Sequence, residues 1–112
     1  MEKIFAALGD EHRLAIVEAL SDGAEKSIGD LAKPFSISLP AISRHISILE
    51  SAGIIERRVV RQWRYCRIKP EAFDLMGDWI TVQKRFWANS LDRLEALVAE
   101  QEAQRGESAD DE

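Results

Sequence analysis

Apolar positions change period twice along this 112-residue chain. Up to residue 53 they recur every three or four residues, from Ile54 to Ile68 they approach alternation, and from Met76 onward the helical period returns. The first part divides into four predicted helices. Ile4, Phe5 and Leu8 share one side of a short helix over residues 2–8 that Gly9 ends. Asp10 caps a second, where Leu14, Val17, Ala15, Ile16 and Leu20 form a wide stripe and Ser21, Asp22 and Gly23 make the exit turn. Ser27, with Asp30 three residues on, opens a third in the manner of a capping box; Ile28, Leu31 and Ala32 face inward and Pro34 closes it. Phe35 and Ile37 then pin the turn into Ser38.

The stretch from Ser38 to Gly53 carries the sharpest pattern. The Ser38 hydroxyl suits an N-cap, Pro40 is tolerated in a first turn whose N–H groups lack helical partners, and Gly53 suits a left-handed stop. Ile42, Ile46 and Leu49 fall at i, i+4 and i+7 and must face a core. The other face holds Pro40, Ser43, Arg44, Ser47 and Ser51, one long cationic arm above short side chains. Such a face can approach another surface closely. The DNA major groove admits a helix of this kind, and an arginine can donate two parallel hydrogen bonds to guanine. Taken alone, an amphipathic helix with a serine-rich face is more often plain solvated surface; the flanking segments tip the balance.

After Gly53, β-branched and aromatic residues at Ile54, Ile55, Val59, Val60, Trp63, Tyr65 and Ile68 predict two strands joined at Arg61 and Gln62. That turn lacks the glycine or asparagine a two-residue hairpin favours. Arg57, Arg58, Arg61, Arg64 and Arg67 stud the ribbon, so a basic hairpin follows a candidate recognition helix, the arrangement of a winged helix-turn-helix. The predicted fold is mainly α with this small hairpin. Pro70 opens the last helical region, in which Met76, Ile80, Gln83, Trp87, Leu91, Leu94 and Val98 advance in steps of four and three, widened by Phe73, Leu75, Trp79, Val82 and Phe86. Gly77 is expected to break it. From Asp78 to Ala103 the helix would reach about 40 Å at roughly 1.5 Å per residue, too long for so small a domain to cover, so a second copy of the chain is the expected partner. The dimer surface is assigned to Ile4, Phe5 and Leu8 with Ile80, Trp87, Leu91, Leu94 and Val98. Residues 1–100 are read as one DNA-binding and dimerisation domain, and residues 101–112 as a polar acidic tail expected to be disordered.

Composition is ordinary for a globular domain, at 46% apolar and 31% charged residues. The net charge of -5 argues against a nucleic-acid partner until its distribution is read. Residues 70–112 hold eleven acidic and four basic residues, whereas Arg44 to Lys69 hold seven basic and two acidic. The field where DNA would lie is positive. With one cysteine, Cys66, and no apolar run near the roughly 20 residues that span a bilayer, a soluble protein of the reducing cytoplasm is expected. Cys66 is read as a small core-facing strand residue. No nucleotide cradle, nucleophile motif or paired carboxylates can be found, so an enzyme is excluded and no cofactor is expected. A winged-helix module that binds protein is the alternative, but such a wing has no need of five arginines.

The chain resembles the ArsR family of bacterial winged-helix repressors over roughly residues 4–98. The resemblance rests on ALGDEHRLAIVEAL from Ala7 to Leu20, SIGDLAKPFSISLPAISRHISILESAGII from Ser27 to Ile55, and RYCRIKPEAF from Arg64 to Phe73. It implies a homodimer built on the first and last helices, recognition helices in successive major grooves, and repression by blocking promoter access. It also implies DNA contacts at Ser38, Pro40, Ser43 and Arg44, with wing contacts at Arg57, Arg58, Arg61 and Arg64; Leu39 and Ser47 are added as candidate contacts by their place on the same helix. Leu39 departs from the polar residue many relatives carry there, although a thymine methyl would suit leucine. His45 belongs to the motif but is read as a hydrogen-bonded structural residue. Metal-responsive members need clustered thiolates, imidazoles or carboxylates. Here Ile28 to Lys33 contains no thiol and the last helix offers Asp78, Asp92 and Glu95 without a histidine. His12, His45 and Cys66 fall on separate elements, so no metal site is expected.

Overall fold

The computed structural model describes residues 1–110. Among them the element order is α1 (Glu2–Leu8), α2 (Glu11–Ala19), β1 (Lys26–Ser27), α3 (Ile28–Ala32), α4 (Leu39–Ser51), β2 (Ile55–Val60), β3 (Trp63–Ile68) and α5 (Pro70–Asp110). Helix starts are set by side chains as the sequence suggests. Asp10 Oδ2 accepts from the backbone N–H groups of His12 at 2.9 Å and Arg13 at 3.1 Å. Ser27 Oγ accepts from Asp30 N–H at 3.1 Å and Ser38 Oγ from Ala41 N–H at 3.3 Å. At the far end of α4 the Gly53 N–H bonds the Glu50 carbonyl and the Ile54 N–H bonds the Leu49 carbonyl, with Gly53 at φ +80°. This is a complete Schellman stop, and the fully buried Ile54 supplies its hydrophobic contact.

The chain divides into two units, residues 1–76 and residues from Gly77 on. Within the first, Ile42, Ile46 and Leu49 of α4 have no exposed surface and share a core with Ile16, Leu20, Leu31, Ile54 and Ile55. Burying side chains of this size contributes roughly 1.5–3 kcal/mol each before entropy is counted, so α4 is held mainly by its inner stripe. Leu14 leaves the expected stripe and is 43% exposed. At about 100° per residue it stands nearly opposite Ile16, and a nine-residue helix buries only one face. Ile4, expected at a dimer surface, is spent on its own core at 5% exposure; Leu8 packs against that core half-buried, and Phe5 is exposed.

The sheet has three strands in the order β1-β3-β2, one more than expected. β1 is only Lys26 and Ser27, paired antiparallel with Cys66 and Tyr65, and two residues carry no readable alternation. Lys26 Nζ reaches the Ala19 carbonyl and lies 3.3 Å from Asp22, which ties the exit of α2 to this strand. β2 and β3 pair from Ile55↔Ile68 to Val60↔Trp63, so Arg61 and Gln62 form the expected two-residue turn. Arg61 supplies the positive φ, at 58°, that glycine or asparagine would normally provide. Cys66 is fully buried on β3, and burial pushes its thiol above the ordinary value.

α5 is not broken at Gly77, because one interior glycine costs only about 1 kcal/mol against alanine and its neighbours keep the helical pattern. The helix also continues through residues 101–110, part of the tail expected to be disordered. Glu, Gln, Ala and Arg are good helix formers, so polarity there removes a packed face without removing helical propensity. Residues 111 and 112 lie outside the described residues. Ala72 and Met76 belong to the core of the first unit. In the second unit Ile80, Trp87, Leu91, Leu94 and Val98 are all exposed, as are Trp79, Val82, Phe86 and Leu97. Among the described residues no helix is long and apolar enough to cross a membrane.

Candidate nucleic-acid interface

α3, the turn through Phe35 and Ile37, and α4 form a helix-turn-helix whose second helix shows a polar face. Leu39, Pro40, Arg44 and Ser47 are exposed and Ser43 is half-buried. The hairpin of β2 and β3 stands beside it. Leu39 and Ser43 of α4 share a cleft of about 240 Å³ with Gln62, Trp63 and Arg64 of the hairpin, so helix and wing border one surface. Trp63 is 56% exposed there, with Val59 at 65% on the paired strand. Sequence reasoning took both as strand formers; their exposure depends on the hairpin rising clear of the core, and no local pattern encodes that.

The arginines divide into two sets. Arg57 Nη2 donates to Ser47 Oγ, and its Nε stands 3.2 Å from a Glu50 carboxylate oxygen without a directed hydrogen bond. Arg58 pairs with Glu25 at 2.6 Å and Arg67 with Glu56 across the strands. These three charges are compensated internally. Among the described residues, Arg44, Arg61 and Arg64 are exposed and have no hydrogen-bond or ion-pair partner. A free guanidinium keeps its full attraction for phosphate and its fork for a base edge. Of the expected wing contacts, Arg61 and Arg64 are therefore available, whereas Arg57 and Arg58 would first have to leave acidic partners. Ser47 likewise already accepts from Arg57.

Arg13 was not singled out in the sequence, yet it ties three helices together. Its Nε donates to the Ala7 carbonyl at 2.6 Å and its Nη1 lies 3.3 Å from His45 Nδ1. His45 thus has the hydrogen-bonded setting read for it. Lys3, Arg13 and Arg44 border a groove of about 470 Å³ between α1 and α4, which adds Lys3 to the cations near the recognition helix. The fold also brings His12 against His45, with ring centroids 5.5 Å apart and planes at 25°, while Asp10 offers a carboxylate to both. The two histidines lie on separate helices as read from the sequence, but the start of α2 meets the middle of α4, and Asp10 rather than Cys66 stands with them. The backbone N–H of Arg13 holds the Asp10 carboxyl below the ordinary carboxylate value, against desolvation and with help from the His12 N–H and the nearby charges.

A buried helical core, a helix-turn-helix with a free arginine on its outer face, and a hairpin carrying two more define a winged helix-turn-helix. Residues 8–58 match a family described as a helix-turn-helix domain. Over 97 residues the chain is 37% identical to the arsenical resistance operon repressor of Escherichia coli (strain K12), covering 86% of this chain and 80% of that protein. It is 31% identical over 80 residues to the transcriptional repressor SdpR of Bacillus subtilis (strain 168), covering 71% and 88%. Among solved structures it is similar to the ArsR family transcriptional regulator RHA00566, with a TM-score of 0.72 at 36% identity over 77% of this chain and 88% of that one. The fold is also that of the homodimeric winged helix-turn-helix DNA-binding domain Mb0332 from Mycobacterium bovis, with a TM-score of 0.60 at 23% identity, covering 77% and 80%. The chain belongs to the ArsR family of transcriptional regulators.

Proposed function

We propose that the protein is a homodimeric repressor that binds operator DNA in the cytoplasm and blocks promoter access. The observation that carries this reading is that Arg44 on α4 and Arg61 and Arg64 on the hairpin are all exposed and unpaired among the described residues, while Leu39 and Ser43 of α4 share one cleft with Arg64 of the wing. α4 enters the major groove, where Arg44 reads a base edge and Ser38, Leu39, Pro40 and Ser43 make close contacts. Arg61 and Arg64 meet the backbone or the minor groove. Dimerisation is supported by the exposed stripe of Ile80, Trp87, Leu91, Leu94 and Val98, an apolar face that solvent would otherwise wet along much of a helix. Mb0332, of the same fold, is homodimeric. A partner stripe from a second copy buries this face and sets two recognition helices about one helical turn of DNA apart.

The test is a mobility-shift titration of the protein on the region upstream of its own gene, against random duplex of equal length. Saturable binding at least tenfold tighter to the upstream region, with two chains per complex, is the expected result. Equal affinity for both duplexes overturns operator recognition, and no binding to either overturns the DNA reading altogether.

A further inference from the structure

Asp10, His12 and His45 each offer one ligand atom, and the three atoms lie within 4.8 Å of one another. The DNA-contact scheme uses none of them. The arrangement follows from local structure. As the N-cap of α2, Asp10 is fixed by two backbone N–H groups that both go to Oδ2, and no described hydrogen bond occupies Oδ1. His12 follows in the first turn of α2, and His45 projects from α4 beside it. Each imidazole Nδ1 lies 3.8 Å from Asp10 Oδ2, and side-chain exposures are 31% for His12, 19% for His45 and 32% for Asp10.

We propose that Asp10, His12 and His45 bind a divalent cation of the zinc class, with water completing the shell. Two imidazoles and a carboxylate match Zn²⁺, Co²⁺ or Ni²⁺; Ca²⁺ and Mg²⁺ favour all-oxygen sets, and arsenite or Cu⁺ would favour thiolates. Metal–ligand bonds of about 2.0–2.2 Å put tetrahedral ligand atoms roughly 3.3 Å apart, so the group must contract by on the order of 1 Å. Partly exposed side chains can supply that by χ rotation. The obstacle is Arg13, whose Nη1 lies 3.3 Å from His45 Nδ1. The metal takes over this nitrogen, and the guanidinium swings toward the groove it already borders, still anchored through Nε at the Ala7 carbonyl. Phe35, whose ring centroid is 5.7 Å from that of His12, walls one side. Because His45 neighbours Arg44, the bound ion cross-links the start of α2 to the recognition helix.

The experiment uses the full chain, stripped with a chelator and titrated with Zn²⁺ or Co²⁺ in competition with a chromophoric chelator. Asp10→Asn keeps an equally good N-cap while removing the ligand charge, and His12→Ala removes a ligand outside the core, so both variants are expected to fold. One ion per chain is expected in the parent, with affinity reduced on the order of tenfold or more in each variant. The ion should also raise the parent's thermal midpoint and leave the variants' midpoints unchanged. Absence of saturable binding to the parent, or equal binding by parent and both variants, overturns the site. Neither result bears on whether the protein binds DNA.

Discussion

Arg57 on β2 donates to the hydroxyl of Ser47 on α4 and stands 3.2 Å from Glu50 on the same helix. The wing is thereby strapped to the recognition helix by a charge that sequence reasoning assigned to DNA. Its work is positional. Arg57→Ala should lower stability by about 1 kcal/mol, the usual net value of a hydrogen bond, and leave the salt dependence of DNA binding nearly unchanged. Thermal unfolding and binding at two salt concentrations check both parts. A slope that falls as much as in a wing-tip variant would show that Arg57 leaves Glu50 to meet phosphate.

The free arginines should fail in different ways. Arg44→Ala should cost about 1–3 kcal/mol on operator and little on random duplex, as expected when a bidentate hydrogen bond to a base is removed. Arg61→Ala should weaken both nearly equally and lower the slope of log K against log salt by about one for each phosphate left unneutralised per chain. Titrations of both variants on both duplexes separate the roles. A uniform loss for Arg44→Ala would identify a phosphate partner instead.

The wing turn carries backbone strain at Arg61, whose φ of 58° disfavours a side chain with a Cβ. Arg61→Gly should therefore raise the unfolding free energy by up to about 1 kcal/mol, the permissive glycine backbone outweighing its extra unfolded-state entropy. DNA affinity should fall as in Arg61→Ala. Chemical denaturation beside the binding titration tests this trade between turn stability and charge.

Leu91 lies near the middle of the exposed stripe of α5 and is 56% exposed. Leu91→Asp should convert dimer to monomer at tens of micromolar, because a charge placed on an apolar interface must be desolvated without a partner. Sedimentation equilibrium reads the outcome directly. An unchanged association state would remove this stripe from the interface.

Asp10, Asp22 and Asp30 all have carboxyl groups held below their ordinary values, first by the Arg13 N–H, the Ala24 N–H and the Lys33 side chain respectively. Because the folded-state values lie below the unfolded ones, the charged forms stabilise the fold above about pH 4, and the gain is lost as pH falls through the depressed values. Asp10→Asn should flatten the acid side of the stability profile and leave the neutral plateau close to the parent. Unfolding midpoints across the acid range provide the check.

Most of the secondary structure was legible in the sequence because its determinants are local. Asp10, Ser27 and Ser38 cap through hydrogen bonds within three residues, Gly53 stops α4 by its own φ, and Ile42, Ile46 and Leu49 define an inner face by spacing alone. The same spacing placed Arg44 on the outer face. The tertiary structure decided what lies many residues apart in the chain. It paired Lys26 and Ser27 with Tyr65 and Cys66, spent Ile4 on the core, and split the arginines into Arg57, Arg58 and Arg67 with acidic partners and Arg44, Arg61 and Arg64 without them. Net charge along a sequence cannot distinguish a free guanidinium from a compensated one, since compensation depends on contacts such as Arg58 with Glu25, 33 positions apart. The approach of His12 to His45 has the same origin: helical period orients each side chain on its own helix, but only the crossing of α2 over α4 sets the distance between them.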